Sequence, residues 1–475
     1  MFSEVILPVV FVVVIILMLF NFNRTLITLC GGVIAVITVM IDPPFIGFTF
    51  GDIMSFLFGN TVDGFSNFHT IVLIFGLLII TSICNDSGVF SFIALKIIQR
   101  SQGNKYVLLF FLCALAFLIS LMLNNILSMI ILIPLTITVC RILMLNPVPY
   151  LICQMIVANT GCLVFEISSF SNVLVGEAVP WTFTQFFSDV GLFSFLLFAV
   201  VVIALALMYK ARLDTPKQKV VQVLQAYNAW QFVKNKALFY LSLLTLIITI
   251  ILFITLPNFG IKMDIIAITA GMLLLISTGK NIENFLTKLD FQLIIYLLGI
   301  FLIVGAMQST GILDSVAEGI KNITAGDPLS TSLIILWLAG GLTSGIDNIP
   351  LAKIFIPITQ HFGFTSSNRD LVFTALVYGI HLGDNFLPQG DNIIVAFQIT
   401  KSYDQKIPVK EFFRIGPLIA LIQLGTVSLF LMVLSNHEIL IIVLTLVLII
   451  FVIIALIELY RHQTSKFLRK DFLIA

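Results

Sequence analysis

Apolar runs dominate this chain. A helix needs roughly 17–25 mostly apolar residues to cross a bilayer. On that rule spans are expected at about 5–21, 25–42, 67–84, 150–175 and 190–210. A second set follows near 237–255, 262–278, 290–308, 371–398 and 414–434, with one extra near 438–460. The longest polar connection, 210–236, carries Lys210, Arg212, Lys217, Lys219, Lys234 and Lys236. Two more apolar stretches, 106–141 and 330–361, are each interrupted by a polar pair, Asn124-Asn125 and Asp347-Asn348. Polar groups at that depth need the backbone, one another or a ligand in place of water, which suits two half-helices meeting at a tip. The expected fold is all-α: a polytopic membrane protein of about 11 transmembrane helices plus two re-entrant hairpins.

The interruptions repeat. Leu123–Pro134 reads LNNILSMIILIP and Ser344–Pro357 reads SGIDNIPLAKIFIP; Asn125 and Asn348, and Pro134 and Pro357, are each 223 residues apart. The same offset aligns Phe75–Gly88 with Leu298–Gly311, matching Gly76 to Gly299, Ser87 to Thr310 and Gly88 to Gly311. Landmarks of glycine, asparagine and proline at one spacing point to an internal duplication. The expected units are a first repeat over 1–210, a cytoplasmic linker over 211–236, a second repeat over 237–434, and an extra helix and tail over 435–475. With the hairpins re-entrant, each repeat has an odd number of crossings, so the two repeats must be inverted.

Charge tests that topology. On this arrangement 21 of the 25 basic residues fall on one side and three, Lys262, Lys321 and Arg369, on the other, with Lys353 inside the membrane. The positive-inside rule makes the rich side cytoplasmic, with the N-terminus outside and the C-terminus inside. The chain is 59% hydrophobic and 10% charged, against about 25% charged for a soluble domain. An integral protein of the cell or inner membrane is therefore expected, with the lipid bilayer as its surroundings. A net charge of +1 gives no basis for a nucleic-acid partner. The six cysteines form no CxxC or Cys/His cluster and are expected as buried thiols. Residues 5–20 lack a basic leader and a cleavage site and are kept as a span.

Inverted repeats with broken helices are the sequence signs of a secondary transporter. A helix broken at mid-depth presents free N–H or C=O groups that can replace an ion's hydration shell. Asn124 and Asn125 at one tip, and Asp347 and Asn348 at the other, are the first candidates. Asp347 or Asn348 can cap the following half-helix, with Pro350 in its first turn; capping alone stands beside ion binding as a reading. Lys353, where the first repeat has Ile130, either neutralises Asp347 or serves as a built-in cation that a substrate ion displaces. A second polar seam follows each hairpin, Ala158–Gly176 and Gly379–Ala396. It adds Ser168, Ser169, Asn172, Asp384, Asn385, Asp391 and Asn392, with Glu166, His381 and Gln389 as further candidates. Sodium is expected, where it is the coupling ion, at Asn125, Asn348 and Asp347. No other cofactor is expected, and no HExxH, nucleophile elbow or phosphate loop suggests an enzyme.

At these residues the chain resembles the ion transporter superfamily, which includes the arsenite permeases, NhaD-type sodium/proton antiporters and divalent anion/sodium symporters. Gly299–Gly311 (GIFLIVGAMQSTG) and the DNIP of Asp347–Pro350 are similar to the first two families. The hairpin tips are similar to the symporters' Ser-Asn-Thr tips, with a proline nine residues after the asparagine in both. The resemblance implies an elevator-like, commonly dimeric transporter whose ions bind between hairpin tip and broken span. The chain departs from the pattern at Gly161–Phe165 and at Ser168–Ser171, where the family's Gly-Gly-x-x-Thr and Gly-Asp-Pro-Pro stand. Two functions follow. The excess of acids over bases within the second repeat's spans favours sodium- or proton-coupled cation antiport. The alternative is a coupled transporter of a small anion, a carboxylate or an oxyanion such as arsenite.

Overall fold

The computed structural model describes residues 2–435 apart from 21, 43–47, 62–63, 100–103, 180, 211, 216–227, 234, 280–281, 284–286 and 288. The expected span near 438–460, the tail and most of the polar linker lie outside the described residues. Helices α1 (Phe2–Leu19), α2 (Arg24–Ile41), α3 (Phe50–Phe58), α4 (Ser66–Asp86) and α5 (Val89–Ile98) open the chain. The first hairpin follows as α6 (Lys105–Ser120) and α7 (Asn125–Leu143), then α8 (Val148–Gly161), a 3-10 turn at Glu166–Ser168 and α9 (Phe170–Ala178). After α10 (Phe183–Phe186), α11 (Leu192–Tyr209) ends the first half. The second half runs α12 (Lys236–Thr255), α13 (Met263–Ser277), α14 (Phe291–Ser309) and α15 (Ile312–Thr324). It closes with a hairpin of α16 (Pro328–Thr343) and α17 (Asn348–His361), then α18 (Ser366–Leu382), α19 (Asp391–Ser402) and α20 (Val409–Ser435).

Eight described helices are long and apolar enough to cross a membrane, and α6, α13 and α16 are shorter apolar helices. The expected spans match α1, α2, α4, α11–α14 and α20 closely, and the two long spans are broken, as α8/α9 and α18/α19. The short helices α3, α5 and α15 go beyond the expected set. Matched helices keep the offset of the sequence repeat: α5 and α15, α6 and α16, and α7 and α17 each begin 223 residues apart. Gly88 and Gly311 share a left-handed φ of 84° and 73° at the turn from α4 into α5 and from α14 into α15. That backbone conformation strains any residue with a Cβ, so the matched glycines mark one turn built twice.

Two bundles result. In the first, α2 packs along α14 and α4 along α13, so each pair draws one helix from each half of the chain. Glycines bring these helices close, because a Cβ on Gly76 would lie 2.5 Å from the backbone of Ala267 and one on Gly299 2.6 Å from that of Thr28. Thr25 Oγ1 donates to the carbonyl of Gln292 at 3.3 Å, which sets α2 and α14 parallel. By contrast the matched helices α4 and α14 run antiparallel. Asn67 in the first turn of α4 donates to the carbonyl of Phe56 at 2.8 Å, and Phe56 abuts Gly305 near the end of α14. That is the relation inverted halves require.

The second bundle holds the hairpins. Helix α6 packs on α8 and α16 on α18, while each return helix crosses to the other half, α7 to α19 and α17 to α9. Helices α11 and α20 close the outside of this bundle. Contact between the bundles runs mainly through α14 with α17 and α4 with α9. All six cysteines are free thiols, five of them buried.

Candidate functional site

Each hairpin tip is built by an N-cap. Asn124 Oδ1 accepts the Leu127 amide at 2.8 Å and starts α7; Asp347 Oδ1 accepts the Ile349 amide at 3.0 Å and starts α17. Asn125 and Asn348, one residue inside each helix, point instead to the broken spans. Asn125 Nδ2 donates to Asn159 Oδ1 at 2.9 Å, and Asn159 Nδ2 to Asn385 Oδ1 at 3.0 Å. The chain of amides continues from Asn385 Nδ2 to Gln423 Oε1 at 2.9 Å and from Gln423 Nε2 to Thr160 Oγ1 at 2.9 Å. Buried amides in such a chain each satisfy the next, which offsets the cost of taking them from water. The two broken spans and the first tip are thereby tied into one polar line.

The second tip has its own cluster. Asn348 Nδ2 donates to Asp384 Oδ2 at 2.9 Å, and Thr343 Oγ1 lies 2.6 Å from Asn348 Oδ1, 2.8 Å from the Ile380 carbonyl and 3.1 Å from Asp384 Oδ1. Gly383 makes this possible, since a Cβ there would lie 2.0 Å from the carbonyl oxygen of Gly340. A third group surrounds His381. Its Nε2 lies 2.6 Å from Asn172 Oδ1 and 3.2 Å from Ser171 Oγ, and its Nδ1 3.3 Å from Cys162 Sγ. Asn172 Nδ2 in turn donates to the Cys162 carbonyl at 2.7 Å. Two amide oxygens in this region, Oδ1 of Asn125 and of Asn392, are buried without a hydrogen-bond partner among the described residues. They sit on α7 and α19, which pack together. Oxygens of this kind are the donor type that a hard cation takes.

Asp347 faces the first bundle. Its Oδ2 accepts the Tyr296 hydroxyl at 2.8 Å and lies 3.9 Å from Arg24 Nη1. A cavity of about 620 Å³ opens here between the bundles, lined by Arg24, Ile126, Asp347, Gln389, Gln398 and Lys401 among others. Residues of both tips thus reach one cavity.

Several sequence expectations change. Lys353 does not neutralise Asp347: its ammonium donates to Asn67 Oδ1 at 2.5 Å and stands over the Phe301 ring, 4.8 Å from the centroid. About one and a half turns of helix carry it away from the tip, and the charge beside Asp347 comes from Arg24 instead. Glu166 does not join the tips either. It is wholly buried under a separate cavity with Glu177 and Lys262. Ser168 closes its own turn by donating to the Phe165 carbonyl, and Ser169 pairs with Ser171 at 2.9 Å. Asn392 Nδ2 holds the Met155 carbonyl at 3.1 Å. Asp391 opens α19. Sequence reasoning misses Asn159, Thr160, Tyr296, Thr343 and Gln423 as site residues, and Arg24 as a neighbour of Asp347. Asn159 and Thr160 lie inside the polar seam and carry a signal; Tyr296 and Gln423 sit in otherwise apolar helices and carry little.

Residues 10–379 match the model of a family described as CitMHS, citrate transporter. The chain belongs to this family. It is accordingly a membrane transporter, and similar proteins agree. A 46 kDa membrane protein of Mycobacterium leprae is 22% identical over 369 residues, covering 77% of this chain and 86% of its own. An uncharacterized transporter of Mycobacterium tuberculosis is 21% identical over 413 residues, covering 86% and 93%. The magnetosome protein MamN of Magnetospirillum gryphiswaldense is 26% identical over 320 residues, covering 66% and 72%. Among solved structures, the YdaH transporter of Alcanivorax borkumensis superposes with a TM-score of 0.58 at 15% identity, over 82% of this chain and 89% of that one. At that identity the likeness is one of fold.

Proposed function

We propose that this CitMHS-family chain is a cation-coupled secondary transporter of a small carboxylate, with citrate the first candidate. The observation that carries the reading is the cavity between the bundles, where both hairpin tips end and where Arg24 and Lys401 stand with Asp347, the single acid among the described lining residues. An anionic solute meets two cationic side chains and helix N-termini there. The family's description points to the same class of solute. The coupling cation is assigned to the buried oxygens near the tips, those of Asn125, Asn392 and the Asp384 cluster, where a carboxylate and neutral amides offer oxygen ligands.

Movement of the hairpin bundle against the α2·α14 and α4·α13 pairs is the proposed alternating-access step. Asp347, on the hairpin expected to enter from outside, contacts Arg24, the first residue of α2 at the cytoplasmic end of the expected topology. The cavity lies at that end, beside Lys401, so the conformation reads as inward-facing.

The test is radiolabelled citrate counterflow in proteoliposomes of the full chain, followed by uptake under an imposed sodium or pH gradient. Citrate exchange with gradient-driven accumulation supports the reading; no exchange at any gradient overturns it. Cation/proton antiport is the second reading, favoured by the buried acid Asp384 beside Asn348. It takes over if a sodium gradient moves protons, followed by a trapped pH dye, with no citrate or other anionic solute present.

A further inference from the structure

We propose that Glu166 is a proton-binding site separate from the hairpin tips, and that the conformation described here holds only when that site is occupied. The inference rests on the moving-bundle reading above and adds to it a second, outer-facing ion site. Glu166 lies on the 3-10 turn in the break of the first broken span. Its side chain is wholly buried, and neither carboxyl oxygen has a hydrogen-bond partner among the described residues. The fit is tight. A Cβ on Gly176 would lie 2.1 Å from Oε1, so the glycine is what leaves room for the carboxyl group.

Glu166 forms part of the wall of a cavity of about 440 Å³ that draws residues from both bundles. Gly176, Glu177 and Trp181 belong to the hairpin bundle side, and Ser66, Lys262 and Met263 to the other. The ionisable groups that share the cavity wall are Glu177 on α9 and Lys262 before α13; beyond Glu177 lie His69 on α4 and Asp264 on α13, with His69 Nδ1 2.7 Å from Asp264 Oδ2. None of them bonds Glu166. An ionised carboxylate wholly buried with neither a hydrogen bond nor a direct ion pair is far less favourable than the neutral acid. The neutral form therefore fits this closed state.

The cavity also has a defined side. Ser66 starts α4, which runs antiparallel to α14, whereas Arg24 starts α2, which runs parallel to α14. Ser66 and Lys262 therefore lie at the end of the first bundle opposite Arg24, the outer face in the expected topology. Sliding the hairpin bundle past α4 and α13 would open the seal and expose Glu166 to that face. Reclosing it then requires a proton, so external protonation licenses the passage into the state described here.

The sign follows directly. As external pH rises, the exposed carboxyl group loses its proton and the charged form cannot be sealed, so exchange slows. In proteoliposomes of the full chain, citrate counterflow should fall with rising external pH for the natural protein. E166Q, a permanently neutral isostere, should hold a flat profile. An E166Q profile that tracks the natural one overturns the proposal, and so does an E166Q chain that fails to fold, because a neutral group of the same shape should suit the pocket. Infrared difference spectroscopy on the purified full chain needs no transport. The natural protein should show a protonated-carboxyl C=O band that E166Q lacks and that G176A shifts by displacing the group. Absence of that band overturns the proposal even if citrate is carried. The band without citrate flux overturns the carboxylate reading alone.

Discussion

Asp347 accepts the Tyr296 hydroxyl at 2.8 Å and stands 3.9 Å from Arg24, so both helices of the α2·α14 pair hold the tip of the second hairpin. An arginine–carboxylate pair at this distance, with the arginine partly exposed, contributes about 1 kcal/mol or less. That is too little to lock the tip and enough to bias where it rests. Asp347→Asn keeps the N-cap to Ile349 and removes the charge. Citrate counterflow should be lost or strongly reduced while thermal unfolding in detergent moves only slightly. Arg24→Gln should lower flux in the same assay, and the two changes together should cost less than their sum. Flux unchanged in Asp347→Asn would remove Asp347 from the transport site.

Asn159 is the amide that links the first tip to the second broken span, since it accepts from Asn125 and donates to Asn385. Asn159→Ala leaves both neighbours unsatisfied in a buried place, at a cost of about 1–3 kcal/mol for each group left unpaired. The melting temperature should fall clearly, and cation-dependent citrate uptake should fall with it. A variant of unchanged melting temperature would show that water replaces the amide, and the line from tip to broken span would not be continuous.

Close packing in the first bundle is equally testable. A Cβ at position 76 meets the Ala267 backbone at 2.5 Å, whereas one at Gly341 meets nothing within 4 Å. Gly76→Ala should destabilise by about 1–3 kcal/mol, because backbone cannot step aside as a side chain can. Gly341→Ala, inside α16, should be neutral or stabilising by about 0.5–1 kcal/mol. Fluorimetric melting curves of the pair in one detergent decide it; equal shifts would refute the close helix contact.

Asp327 caps α16 by accepting the Ser330 amide at 2.7 Å, and its hydrogen bonds with the Ser330 side chain and backbone hold its carboxyl group below the usual carboxylate range. A group depressed in the folded state adds stability above its unfolded value and loses it as pH falls through the folded one. Asp327→Ala should therefore lower stability at neutral pH by about 1 kcal/mol. The deficit should shrink in strongly acid buffer, below the usual carboxylate range, where the cap is a neutral carboxyl group. A deficit independent of pH would mean that the ionised cap is not its source.

Much of the architecture is legible without coordinates because it rests on local chemistry. The repeat spacing locates both tips, since a tip needs an N-cap, a polar pair and a proline at fixed positions within one stretch of chain. Gly88 and Gly311 mark the same turn twice because a left-handed backbone disfavours other residues at each. The partners are not legible. Asn67 receives Lys353 from 286 residues away, and Arg24 reaches Asp347 from the far end of the chain. Nothing in the local pattern around Lys353 distinguishes a lysine that turns back to its own tip from one that lies along α14.

The amino-acid sequence by itself determined a duplicated, broken-helix membrane transporter, because bilayer crossing, helix capping and glycine turns are all imposed within a few consecutive residues. Tertiary structure decided which polar groups meet. It exchanged helices between the halves, joined Asn125 to Asn385 through Asn159, gave Asp347 to Arg24 and Tyr296, and set Glu166 apart beneath its own cavity. Those choices depend on how close glycine lets two helices come and on which buried donor finds which acceptor. Both are properties of surfaces that the chain brings together only on folding.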